Sequence, residues 1–96
     1  MEIDKLLQTR RDDILRIAAQ HGASNVRVFG SASRGEAGPQ SDIDLLVSFD
    51  MDRTLFDHVG LIQDLEDLLG HKVDVVTEDS LHWYIRERVL KEAVAL

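Results

Sequence analysis

The chain has 96 residues, 44% of them hydrophobic, which is enough for one compact α/β-sized domain over residues 1–96 with little to spare. It contains no cysteine, excluding a disulfide framework, a thiolate metal site and a Cys nucleophile. Eighteen acidic residues against 11 Lys and Arg leave a net charge of -7; this argues against gripping a nucleic-acid duplex, which requires clustered cations, and is compatible with a metal-dependent site or a basic protein partner.

The N-terminus is charged at once, through Glu2, Asp4 and Lys5, and carries no apolar leader. No apolar run approaches the roughly 20 residues that cross a bilayer, so the expected location is the cytoplasm, with no membrane partner. In chain order, residues 3–20 read as a helix, with Ile3, Leu6, Leu7, Ile14, Ile17 and Ala18 on one stripe interrupted by Arg10, and with Gly22 as its stop. Asn25 to Phe29 is a Val-rich strand that halts at Gly30. Ala32 to Glu36 has room for a turn or two of helix before the loop residues Gly38-Pro39-Gln40-Ser41.

Asp42 to Phe49 is the clearest strand, with Ile43, Leu45, Val47 and Phe49 alternating against Asp42, Asp44, Leu46 and Ser48. Thr54 to Leu69 reads as an amphipathic helix with Leu55, Val59, Ile62, Leu65 and Leu69 inward and Gly70 beyond its end. Lys72 to Thr77 is a third strand, and Asp79-Ser80 is an N-cap pair for a last helix over 81–95 carrying Leu81, Ile85 and Val89 on one face. The order α-β-α-β-α-β-α predicts an α/β domain, a small mixed sheet flanked by helices. The helical crossover makes the second and third strands parallel, and the short link makes the first two antiparallel.

Chemistry concentrates in Gly30-Ser31-Ala32-Ser33-Arg34-Gly35 and Ser41-Asp42-Ile43-Asp44-Leu45. Asp42 and Asp44, two apart on a strand, project from one face roughly 7 Å apart and repel each other unless a hard cation lies between them. Magnesium takes such oxygen ligands together with substrate phosphates. Gly30 at a strand end admits a ligand close to the backbone, and Ser31 opens a turn whose free N–H groups suit an anion. Either motif alone is ordinary: a solvated pair of acids, or a capped turn. An antiparallel arrangement brings both to one pocket. Arg34 either contacts phosphate or pins the loop through a carboxylate such as Glu36, and Ser41 reads first as a loop cap.

Gly30-Ser31-x-x-Arg34-Gly35, a short spacer and Ser41-Asp42-x-Asp44-Leu45 resemble the signature of the DNA polymerase β-type nucleotidyltransferase superfamily, nearest its MNT (minimal nucleotidyltransferase) branch. The likeness extends over nearly the whole chain, because the element order also fits. It implies the nucleotidyltransferase fold, with Gly30, Ser31 and Arg34 at the nucleotide. It implies a third carboxylate on a later strand, a position that Asp74 fits, as metal ligand or as general base. With Asp42, Asp44 and Asp74 it implies two Mg²⁺ ions and ATP as donor.

A template-reading polymerase needs a basic channel, and an antibiotic-modifying relative usually carries a substrate domain; neither is visible in the sequence. The resemblance therefore implies a HEPN-domain toxin as partner, with this chain as antitoxin of a type VII-like toxin–antitoxin pair, placing AMP on a toxin tyrosine. Two alternatives stay open: a non-catalytic module that neutralises its partner by occlusion, and a small-molecule nucleotidyltransferase. His21, His58, His71 and His82 lack metal-ligand spacing and read as surface residues. Trp83-Tyr84 reads as a core or partner-facing contact. Arg86, Arg88 and Lys91 read as a solvated helix face with ion pairs, or as contacts to phosphate or partner.

Overall fold

The structure is a computed structural model that describes residues 3–36, 38 and 41–96; the loop residues Pro39 and Gln40 lie outside the described residues. Helices α1 (Ile3–Thr9) and α2 (Arg11–Gln20) lead into strand β1 (Ala23–Phe29), followed by β2 (Ile43–Phe49), α3 (Leu55–Leu69), β3 (Val73–Val76), α4 (Trp83–Glu92) and a short strand β4 (Val94–Ala95). The strands form one sheet in the order β3-β2-β1-β4. As the connections require, β1 and β2 are antiparallel and β2 and β3 parallel.

The strand register separates the sheet into two faces. Val28, Leu45 and Val75 lie side by side across three strands, and Ile43 pairs with Val73. This face packs against Ile3 and Leu7 of α1, Ile14, Ile17 and Ala18 of α2, and Leu61, Leu65 and Leu69 of α3, forming the core. The opposite face carries Phe29, Asp44 and Asp74 in one row and Arg27, Leu46 and Val76 in the next. Leu46 and, from α4, Val89 are buried outside the main cluster.

Several elements differ from the sequence expectation, each for a local reason. The helix expected over 3–20 is divided at Arg10, where the Thr9 hydroxyl donates to the Lys5 carbonyl at 2.8 Å, a back-bond that bends helices. Strand β1 starts earlier, at Ala23, and accommodates a bulge between Ser24 and Arg27 with Asn25 at φ 52°, a conformation Asn tolerates better than most residues. The short helix expected over 32–36 is instead a 3₁₀ turn at Gly30–Ala32.

Helix α3 has its expected span, but its inward stripe is rotated. Leu55 and Val59 are 75% and 44% exposed, whereas Leu61 is fully buried. Stepping back from Leu65 and Leu61 along the stripe leads to His58, which takes the inward position that Leu55 was expected to fill. The His58 Nε2–H donates to the Val75 carbonyl at 2.7 Å, and its ring lies 5.3 Å from that of Phe49. His21 is likewise engaged, donating to Asp64 on α3 at 2.7 Å. Both histidines, expected at the surface, tie elements together. Thr54 and Asp57 cap α3 reciprocally and Gly70 ends it at φ 68°.

The last helix is shorter than the expected 81–95. Asp79 and Ser80 belong to a 3₁₀ turn capped by Thr77, and His82 caps α4 by accepting from the Tyr84 N–H. At the other end Ala93 is extended and the chain continues as β4, which pairs with Arg27 and Val28 of β1. A strand edge left unpaired on β1 is thereby covered.

Candidate active site

The three expected carboxylates come to one end of the sheet. Asp44, second residue of β2, is the direct neighbour of Asp74 on β3 and of Phe29 on β1. Asp42 immediately precedes β2, two residues from Asp44. Asp42 and Asp74 are exposed and Asp44 is half-buried. Val73 and Val75 are buried on either side of Asp74, so alternation turns its carboxylate to the open face.

Asp44 is held above the usual carboxylate pKa, first by burial, then by the charges of Asp74 and Asp42, with Arg34 opposing them. Like charges this close disfavour the ionised form of Asp44. Among the described residues no three His, Cys, Asp or Glu side chains converge closely enough to enclose an ion as they stand. The donor set nonetheless fits a hard divalent cation: it is all carboxylate oxygen, and its mutual repulsion is what a cation would relieve.

The Gly30 turn lies directly against this row. Gly30 has φ 72°, and a Cβ built on it would collide with Asp44 Oδ2. Only glycine provides both the left-handed backbone and the clearance. Ser33 secures the turn twice, its N–H and its hydroxyl both bonding the Gly30 carbonyl, at 3.1 and 2.8 Å. The Glu36 N–H bonds the Ser31 carbonyl at 2.9 Å. Ser31 thus lies in a tight, internally bonded turn beside Asp44, and the start of such a turn is where backbone N–H groups suit an anion.

Arg34 faces two carboxylates, bonding Glu36 at 3.1 Å through Nε and Glu92 of α4 through Nη1. These bonds, Glu92 foremost, raise the guanidinium pKa, and Glu92 is lowered in turn, chiefly by Arg34. Of the two roles weighed for Arg34, pinning the loop is the one this geometry matches. Glu92 itself was not singled out in the sequence, because nothing there indicated that α4 would end beside Gly30.

The remaining aromatic and cationic candidates lie on α4. Trp83 and Tyr84 are 80% and 72% exposed, which removes the core option for them. Arg86 is 4.0 Å from Asp79 and Lys91 is 3.5 Å from Glu87, as on a solvated helix face. No helix is long and apolar enough to cross a membrane among the described residues.

Comparison with known proteins is consistent with this geometry. The sequence profile of the nucleotidyltransferase domain matches residues 11–96. A protein of Methanocaldococcus jannaschii named "Putative protein adenylyltransferase MJ0435" is 43% identical over 84% of this chain and 87% of its own length. The protein adenylyltransferase MntA of Thermococcus cleftensis is 38% identical over 97% of this chain and 91% of its own. Among solved structures, one titled "Structure of putative minimal nucleotidyltransferase" superposes with a TM-score of 0.88 at 52% identity, covering 97% of this chain and 95% of that one. A toxin–antitoxin crystal structure with AMP-PNP shares the fold, with a TM-score of 0.74 at 23% identity over 88% of this chain and 69% of that one. The glycine turn set against paired aspartates on a mixed sheet, together with a profile match over most of the length, places the chain in the nucleotidyltransferase domain family.

Proposed function

We propose that this nucleotidyltransferase moves an adenylyl group from ATP to a protein hydroxyl, a tyrosine of a HEPN-domain toxin, and so acts as the antitoxin of a toxin–antitoxin pair. The observation that carries the proposal is the side-by-side placement of Asp44 and Asp74 under a glycine whose missing Cβ leaves room for Asp44. Support for the adenylyl group and the toxin comes from the relatives: two are named as protein adenylyltransferases, and a fold neighbour is a toxin–antitoxin structure with an ATP analogue.

In this proposal Asp42, Asp44 and Asp74 hold Mg²⁺, two ions in the fullest version. Bound there, the metal would neutralise triphosphate charge and increase the acidity of the acceptor hydroxyl. The Gly30-Ser31 turn takes triphosphate oxygens, while Arg34 keeps that turn in place. The tyrosine oxygen bonds to the α-phosphorus on the side opposite the leaving group. The bond from that phosphorus to its bridging oxygen breaks, pyrophosphate departs, and the hydroxyl proton passes to Asp74 or to water.

Incubating the chain with Mg-ATP and a HEPN-domain partner, then weighing the intact partner, tests the proposal. Addition of adenylate to the partner is the expected result, and the Asp42→Asn, Asp44→Asn double variant should lose it. A partner that binds but gains no adenylate mass overturns the transfer. Occlusion is favoured instead if the double variant still neutralises the toxin in cells. The exposed Met51, Leu55 and Phe56 provide apolar surface that such docking would use.

A further inference from the structure

The end of α4 lies where the nucleotide turn begins. Strand β4 pairs antiparallel with β1 so that Val94 faces Val28 and Ala95 faces Arg27. Continuing this register toward the turn sets Ala93 against Phe29 and Glu92 against Gly30. The Leu96 N–H bonds the Val26 carbonyl at 3.0 Å, anchoring the same segment further along β1. Glu92 therefore projects from a support hydrogen-bonded to the strand that carries Gly30.

Glu92 is also misplaced by the local rules of a helix. It is the last residue of α4, where the partial negative charge of the helix C-terminus disfavours a carboxylate. Its side chain is only 23% exposed, and it is bonded to Arg34, 58 residues away in the chain. The Gly30 N–H adds to the forces holding its pKa down. Arg34 is then divided between Glu92 and Glu36, which leaves it two anionic partners before any phosphate arrives.

We propose that Glu92 is a positioning residue for nucleotide binding: by holding Arg34 from its own place opposite Gly30, it fixes the turn that presents Ser31 to the triphosphate. This inference rests on the Gly30-Ser31 turn being the triphosphate site. A carboxylate in this position repels phosphate in the absence of Arg34, so its contribution depends on the pair and not on Glu92 alone. The competing possibility, in which Glu92 occupies the anion site and must be expelled by ATP, has the opposite sign in experiment.

Calorimetric titration of the full chain with Mg-ATP, alongside Tm for each variant, separates these outcomes. Glu92→Ala should weaken ATP binding about tenfold, the scale of one hydrogen bond to a charged group. Glu92→Gln, whose amide oxygen still accepts from Arg34, should recover most of that, leaving a loss of about threefold. Arg34→Ala combined with Glu92→Ala should bind no worse than the weaker single variant, because both break one link. A role confined to global stability would shift Tm and leave the Kd of the folded protein unchanged. Unchanged or tighter binding in Glu92→Ala and Glu92→Gln, or strictly additive losses in the double variant, overturns the proposal. If the unaltered chain fails to bind Mg-ATP, the nucleotide site itself is refuted, and the inference falls with it.

Discussion

The two faces of the sheet are built from alternate residues of the same strands, yet they obey opposite rules. On the helix-covered face, Ile43, Leu45, Val47, Val73 and Val75 are buried against three helices. On the other, Asp44 and Asp74 stand side by side with their charges in conflict. One face lowers the free energy of the fold by removing apolar surface from water. The other also buries Leu46, but beside it holds acids whose proximity works against folding, the kind of local conflict found at functional sites. Substitutions one residue apart on β2 should therefore affect different properties.

Leu45→Ala should produce the largest change in stability. The side chain is fully buried at the centre of the core, and such truncations cost about 2–5 kcal/mol. For a domain this small, that corresponds to a fall in Tm on the order of 10 °C or more, measurable by circular dichroism. Nucleotide binding by the fraction still folded should be nearly unaffected. A Tm within a degree or two of the unaltered protein would mean that the two faces are not energetically distinct.

Gly30→Ala probes the boundary between them. Placing alanine at φ 72° should cost about 1–2 kcal/mol, the usual penalty of left-handed backbone for a residue with a Cβ. The added methyl would also displace the Asp44 carboxylate. Because that carboxylate is the free end of a side chain, it can give way with little further loss of stability, but it moves out of line with Asp74. A modest drop in Tm together with loss of detectable Mg-ATP binding is the expected pattern. Normal binding in this variant would separate Gly30 from the site.

This boundary also marks how much the sequence made legible. Strands announced themselves where alternation was clear: Asp42 to Phe49 supplied both the core row and the acid row, with β2 itself starting at Ile43, and the connection lengths gave correct strand directions. The Gly30 turn and the three aspartates were picked out partly because acids are costly on a strand and partly by the resemblance to a known signature, and the fold brings them to one end of the sheet. Three features escaped. Strand β4 is two residues long, too short for any periodicity, so the proximity of Glu92 to Gly30 was hidden with it. His58 replaces a leucine on the inward stripe of α3 because a backbone carbonyl of β3 receives its N–H, a tertiary bond without a sequence signal. Leu55 satisfies helical spacing as well as Leu61 does, and only the packed structure shows which of the two meets the core.

The smallest expected effect is also the one that most directly tests the open face. Asp44→Asn removes a charge that burial, Asp74 and Asp42 all disfavour, against the partial relief given by Arg34. The folded-state pKa of Asp44 lies above its unfolded value, which for aspartate is about 3.9. Its favourable contribution to folding is therefore complete below that unfolded value and is lost as pH rises through the folded one. At pH 7 the variant should be the more stable protein, and near pH 3.5 the two should converge. Solvent screening of a half-buried carboxylate keeps the gain small, about 0.5 kcal/mol, or roughly 2–4 °C in Tm. Addition of Mg²⁺ should raise the Tm of the unaltered chain, since a ligand that binds only the folded state stabilises it, and should do so much less in Asp44→Asn. If the variant is less stable at pH 7 and responds to Mg²⁺ as before, the acidic row is neither strained nor a cation site, and the contrast between the two faces fails at its centre.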